Sequence, residues 1–210
     1  MLLHDNPFWR FSLSLYQLKR IKDACLQLQD DSGANINLLF FAIWTAQQRL
    51  RFNPDWRKTF IQFENWHQDY TLQLRRQRDE LKRLAEKADM NENGPLHRMH
   101  EHILKAEMLA EQQEQAVLYY YYQERMGLID CDNREAALIE NLTHCFEDPR
   151  LVDDAPLKVM LSILLDEEEI ELTAVRLREY LEKRFIRQQG TILAKKNLKS
   201  DCNTQKTIKE

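Results

Sequence analysis

The chain has 210 residues, 43% hydrophobic and 30% charged, with only four glycines and five prolines; it is large enough to fold without disulfides and too poor in turn residues for a β-sandwich or barrel. A net charge of −4 excludes a globally basic nucleic-acid binder, and Cys25, Cys131, Cys145 and Cys202 lie far apart with no CxxC pair, as in a reducing compartment. No cationic stretch precedes an apolar run at the N-terminus, and the longest apolar run, Leu38 to Trp44, falls far short of the ~20 residues that span a bilayer. These features predict an all-α, soluble, cytoplasmic protein with no membrane association.

Asn6-Pro7 is a helix start, because Asn caps and Pro at the first position gives up no needed N–H. Phe8, Phe11, Leu15, Leu18, Ile21, Cys25 and Leu28 then form one helical stripe that Ser32-Gly33 ends. Asn35 or Asn37 caps a second helix opening with LLFFAIW, apolar on every side and therefore the buried centre of the N-terminal region. Asn53-Pro54 ends it and caps a third.

In the third helix, Trp56, Phe60, Phe63, His67, Tyr70, Leu74, Gln77, Leu81, Leu84 and Ala88 alternate steps of four and three, a coiled-coil-like seam. NENGP (91–95) breaks it, and a second seam follows through Leu96, Met99, Ile103, Ala106, Ala110, Gln113, Val117 and Tyr120. Two long seams joined by a short break fold back as an antiparallel hairpin. The expected register sets Leu81 near Ile103, Leu74 near Ala110, Tyr70 near Gln113 and His67 near Val117.

Gly127 ends the second arm, Asp132-x-x-Glu135 reads as a capping box opening a helix through Phe146, and Asp148-Pro149 stops that helix. Asp154 with Pro156 starts a short helix over Leu157, Met160, Leu161 and Leu164, and a last one runs from about 168 to 187. The expected organisation is one helical domain over 1–188, comprising N-terminal helices (6–53), the hairpin (54–126) and C-terminal helices (132–188). A disordered basic tail over 189–210 completes it.

Phe8-Trp9-x-Phe11, Leu15-Tyr16, Cys25-Leu26-x-Leu28-Gln29, and Ile36-Asn37-Leu38-Leu39-Phe40 through Trp44 form a distinctive N-terminal pattern. Trp56, Leu81-Lys82 and Ala106-Glu107-x-x-Ala110-Glu111 extend it. Over roughly residues 7–165 the chain resembles a proteobacterial helical family known only as domain of unknown function 2390. The resemblance implies a helical domain of the bacterial cytoplasm and carries no activity to any residue.

Glu64 and His67 form an E-x-x-H, the spacing of helical di-iron sites, but no second E-x-x-H accompanies it. The aspartate pairs Asp30-Asp31 and Asp153-Asp154 lack the third carboxylate of a magnesium-diphosphate face. Leu74 to Lys87 carries a net +3 of interspersed signs and reads as a salt-bridged solvent face. Tyr119, Tyr120, Tyr121 and Tyr122 wrap a whole turn; packing on the N-terminal helices is the favoured account, and a partner-binding surface is the alternative. No phosphate loop or nucleophile motif is present, and no cofactor is expected.

The expectation is a non-catalytic adaptor, monomer or homodimer, that binds a protein partner. One alternative is a helical enzyme or ligand-binding protein with a pocket between the second helix and the hairpin, Glu64, His67 and Asp30 at its mouth. Another is nucleic-acid association through the tail, which carries a net +6 from Lys183 onward.

Overall fold

A computed structural model describes residues 2–87, 94–146, 148 and 152–206, with the backbone alone described at 87 and 188–206. The fold is all-α, as expected, apart from one minimal sheet. Helices α1 (Pro7–Tyr16), α2 (Lys19–Ser32) and α3 (Ile36–Gln47) are followed by β1 (Leu50–Phe52), α4 (Trp56–Thr59) and α5 (Ile61–Trp66). A π-helical turn, His67–Thr71, leads into α6 (Leu72–Lys87); α7 (Pro95–Gln123), β2 (Leu128–Asp130), α8 (Arg134–Leu142), α9 (Asp154–Leu161) and α10 (Glu167–Lys206) complete the chain.

The LLFFAIW helix is the centre of the molecule. Asn35 caps α3 by accepting the Leu38 N–H at 3.1 Å, and every residue from Asn37 to Ala46 is buried. Phe41 packs against Phe8 of α1, Phe52 of β1 and Phe60, with ring centroids 5.3–6.0 Å apart, so one side chain joins three segments. Burying each such ring is worth about 2–3 kcal/mol, which makes this aromatic cluster the main anchor of the N-terminal half.

The single N-terminal helix expected from the stripe is two. Leu18 is extended (φ −78°, ψ 112°) between α1 and α2. α1 packs on α3 and α7 whereas α2 packs on α9, and one straight rod cannot follow both surfaces. A two-residue kink preserves the apolar spacing on either side, so the stripe runs through it unmarked.

The second helix also ends earlier than Asn53, at Gln47. Arg49 takes a left-handed φ of 55°, and the chain enters an antiparallel pairing of β1 with β2, Leu50 opposite Asp130 and Phe52 opposite Leu128. This sheet clamps the base of the hairpin, with Asn53 N–H donating to Gly127 O at 2.9 Å and Cys131 N–H to Arg49 O at 2.8 Å.

The hairpin is present as α5–π-turn–α6 against α7, and its seam is displaced in part. The Leu72 N–H donates to His67 O across a five-residue step, which inserts one extra residue into the helix. Beyond the insertion Thr71 is buried and the expected seam residues Leu74 and Leu81 are half-buried, but so are Arg75, Arg78 and Ala85, while Tyr70, Gln77 and Leu84 are exposed. On α7 the seam residues Ala110 and Val117 are buried as expected, but the inner face also takes in Glu107, Glu114 and Tyr121, with Met99 and Tyr120 exposed. A strict heptad drifts by ~20° per repeat against a straight α-helix, which accounts for the rotation on this arm. Ala88 and the Asn91–Glu92–Asn93 part of the break lie outside the described residues.

In the C-terminal third, Asn133 caps α8, accepting the Ala136 N–H at 3.1 Å. Glu135 therefore does not close a capping box with Asp132; it binds Thr173 and Arg176 of α10 instead. α8 stops at Leu142, Asp153 caps α9, and Pro149 lies outside the described residues. Asp166 and Glu169 cap α10, Asp166 accepting the Glu169 N–H at 3.1 Å. The α10 backbone continues helically past Gly190 to Lys206, through a stretch without proline where the sequence predicts the start of the disordered tail. Residues 207–210 lie outside the described residues.

Candidate functional site

The inside of the hairpin carries buried charge beside the seam leucines Leu74 and Leu81. Glu107 is 3% exposed; its Oε1 accepts from Arg75 Nε at 3.0 Å and its Oε2 from Arg78 Nη1 at 2.7 Å. Arg75 also donates through Nη2 to Glu111 Oε1 at 2.9 Å. Only 13% of the Arg75 side chain and 23% of the Arg78 side chain is exposed. These arginines were expected on a solvated face with partners along the same helix. The one-residue π insertion turns them inward, and their partners lie across the hairpin, on α7.

A second polar chain starts one turn later. His67 Nδ1 donates to Glu114 Oε1 at 2.9 Å, and Asn37 Nδ2 of α3 donates to Glu114 Oε2 at 2.7 Å. Gln115 Nε2 in turn donates to Asn37 Oδ1 at 2.7 Å. Glu114 is fully buried, and a carboxylate only accepts. This fixes the orientation of the Asn37 amide and, through it, that of Gln115. The chain thus leaves one acceptor over: Gln115 Oε1, closed to water, has no hydrogen-bond donor among the described residues.

Both chains border a cavity of ≈340 Å³ between α1, α2, α3 and the hairpin. Trp9, Leu13, Leu26, Phe40, Leu104 and Met108 form its apolar wall; Tyr16, Lys22, Asn37, Arg75, Arg78, Glu107, Glu111 and Gln115 are its polar groups. Cys25 also lines it, and burial pushes that thiol up to about 12, which suppresses the nucleophilic thiolate. Burial pushes the Glu111 carboxyl up to about 7; Arg75 pulls it down, and neighbouring Glu107 and Glu114 push it further up. About a third of the Glu111 side chain stays accessible, and its Oε2 has no hydrogen-bond partner among the described residues. The arrangement is an apolar slot with one uncommitted, accessible carboxylate oxygen, that of Glu111, while the unpaired amide oxygen of Gln115 is closed to solvent. It can bind a donor group and exchange a proton near neutral pH.

The sequence-predicted residues fall elsewhere. Glu64 pairs with Arg57 at 3.5 Å, and the hydrogen-bond partner of His67 is Glu114, one helical turn before the Val117 expected opposite it. The π-turn and the rotation of α7 together produce this difference. Neither residue, nor Asp30, lines the cavity, and among the described residues no group of three or more His, Cys, Asp or Glu could hold a metal ion. Of the four tyrosines, Tyr121 is buried and stacked on Phe60 at 4.8 Å, while Tyr119 and Tyr122 pack on Trp44 at 6.0 and 4.3 Å. Tyr120, 37% exposed, is the member of the run left facing solvent. The signal for the cavity lay in Ala106-Glu107-x-x-Ala110-Glu111, where acidic residues recur one turn apart beside small inward residues.

A family model described as "Protein of unknown function (DUF2390)" matches residues 7–118. That span contains α1–α3, the first arm of the hairpin, α7 as far as Leu118 and all the cavity-lining residues. No curated protein and no solved structure matches the chain. Among the described residues no helix is long and apolar enough to cross a membrane.

Proposed function

We propose that this chain, which belongs to the DUF2390 family, is a small-molecule-binding protein whose ligand occupies the cavity between α1–α3 and the hairpin. The observation that carries this is a ≈340 Å³ slot, within the range of about 300–1,000 Å³ typical of ligand pockets, walled by apolar side chains around a few convergent polar groups. The charged ladder behind it supports the same reading. Buried ion pairs contribute little net stability compared with apolar packing, so their presence suits a shaped recognition surface better than a structural core. The compartment we assign is the bacterial cytoplasm, and the reading calls for no cofactor. The test is to extract purified protein under denaturing conditions and search the extract for a stoichiometric small molecule by mass spectrometry. Met108→Trp, which fills the cavity from its rim, should lose that molecule while remaining folded. A wild-type protein that carries nothing and shows no thermal shift with a metabolite library would defeat the reading.

A second reading, a helical adaptor acting as monomer or homodimer, is favoured by a different observation. Leu172, Val175 and Ile186 are 54–69% exposed and share one face of α10. On this reading α10 and Tyr120 dock a protein partner. Substituting the three aliphatics with serine should release any partner that survives nuclease treatment, and unchanged capture would count against the adaptor. Association with nucleic acid through the basic tail rests on side chains outside the described residues and is set aside.

A further inference from the structure

We infer that the solvent face of α10 docks a basic amphipathic helix of a partner protein. The partner's apolar residues cover Leu172, Val175 and Ile186, and its lysines or arginines meet Glu168, Glu179 and Glu182. This inference rests on the adaptor reading above and narrows the partner to one chemistry.

α10 is apolar on both sides. Ala174, Leu177 and Leu181 are buried against the α8–α9 body, while Leu172, Val175, Tyr180 and Ile186 are 51–69% exposed. Single exposed apolar side chains are ordinary, but a helix apolar on both sides is one that packs on both sides. Leu172, Val175, Glu179, Glu182 and Ile186 follow one another at alternating steps of three and four, the seam through which one helix receives another. Tyr180 stands beside this seam. Next to it, a groove of ≈290 Å³ between α8 and α10, bordered also by Ala136 and Ile139, can seat the stem of a long cationic side chain.

Charge selects the occupant. The acids in the first turn of α10 suit the helix dipole, but Glu179 and Glu182 lie well inside the helix, beyond its reach. Glu171 is bound by Lys158 at 2.8 Å, and Glu179 lies 3.4 Å from Lys183. Glu168 and Glu182, both exposed, have no partner among the described residues. The apolar positions therefore stand among carboxylates that a partner's cations would neutralise. A second copy of this chain on the same face would set Glu179 and Glu182 against themselves in a parallel pair. In an antiparallel pair centred on the seam, it would set them against each other. Like charges at facing seam positions reject self-pairing, whereas lysine or arginine at those positions turns the same carboxylates into attraction. The exposed ring of Tyr180 adds a face that attracts a cation.

The test measures fluorescence anisotropy of labelled peptides of about five helical turns on the full chain at physiological ionic strength. The first has leucines at the seam positions and lysines on both flanks and opposite Glu179 and Glu182. The second replaces every lysine by glutamate, and the third shuffles the first so that no apolar face forms. The first should bind about tenfold or more tighter than either of the others, and should weaken as salt is raised. Leu172→Ser with Val175→Ser should abolish this binding, and Glu179→Gln with Glu182→Gln should weaken it several-fold. All four positions are exposed, so both variants keep the fold, which thermal melts check. An acidic peptide that binds as tightly as the basic one and is lost in the serine variant would overturn the basic partner and leave α10 as the docking face. So would a chain that sediments as a dimer on its own and as a monomer with the serine substitutions, since the occupant would then be a second copy. A shuffled peptide as tight as the first, binding unchanged in the serine variant, or no binding at all would overturn both.

Discussion

Asn141 and Phe52 are joined by a hydrogen bond that locks the last strand residue to α8: the Phe52 N–H donates to Asn141 Oδ1 at 2.8 Å. The Nδ2 of the same amide reaches Leu50 O at 2.9 Å, Thr45 Oγ1 at 3.1 Å and Ala42 O at 3.2 Å, all from a residue with no solvent exposure. A sheet edge that would otherwise bury unpaired backbone groups is satisfied by one side chain. Asn141→Ala should therefore cost about 3 kcal/mol or more in urea unfolding, because buried donors and acceptors lose their partner at once. A cost below about 1 kcal/mol would show that water takes over these bonds.

Gly127 sets the hairpin's exit. Its φ is +69°, and an added Cβ would stand 2.8 Å from Phe60 Cε1 in a ring that is fully buried and stacked on Tyr121. Backbone strain and overpacking act together here. Gly127→Ala should lower stability by about 2–4 kcal/mol, measurable as a shift of the denaturation midpoint. By contrast Gly33, also at positive φ (+67°), has nothing within 4 Å of an added Cβ and should lose only the conformational part, about 1 kcal/mol.

Glu107 neutralises two largely buried guanidinium groups. Glu107→Ala should cost about 3–5 kcal/mol, as expected when one member of a buried ionic cluster is removed. Replacing Arg75, Arg78 and Glu107 together by Met, Leu and Met should recover most of that loss and still abolish ligand binding. Stability and recognition would then be separated in one comparison of thermal melts and titrations.

Two half-buried titratable groups give opposing pH dependences. His144 sits against Phe52 and Trp56, and burial pushes its imidazole down to about 3, with Arg184 and Arg57 adding to the shift. The unfolded chain takes that proton near 6.5, so stability is full above this value and is lost as pH falls toward 3. Glu111 behaves in reverse. Its folded carboxyl protonates near 7 and the unfolded one near 4.5, so stability rises as pH falls across that window. Between pH 7 and 5 the two should nearly cancel, each on the order of 1–2 kcal/mol. His144→Phe should expose the Glu111 slope, and Glu111→Gln the His144 slope. Identical profiles in both variants would contradict the assignment.

Much of this architecture could be read in the residues. LLFFAIW announced a helix buried on every side, and the glycine-proline break between two long seams announced the hairpin. The family resemblance picked out the stretch that carries Glu107 and Glu111. What could not be read has physical causes. A π insertion adds one residue without any compositional mark, so Arg75 and Arg78 looked solvated when they point inward. Leu50–Phe52 and Leu128–Asp130 are too short to show alternation, and their pairing depends on Asn141, which lies far away in the chain. At Leu18 the spacing continues through the kink, so nothing local distinguishes one helix from two. Cavity residues from α1, α2, α3, α6 and α7 meet only in three dimensions.

The strand pairing at the hairpin's base also has a kinetic consequence. α3 and α8 pack together although the whole hairpin separates them along the chain, so their docking must close a long loop, whose entropic cost grows with its length. The hairpin arms make nearer contacts that can zip from the turn downward, and each pair formed shortens the loop that remains. When the zipper reaches Phe52 and Leu128, the sheet closes and delivers α3 to α8. Substitutions inside the hairpin should thus slow refolding of the entire chain, whereas those in α9 or α10 should mainly hasten unfolding.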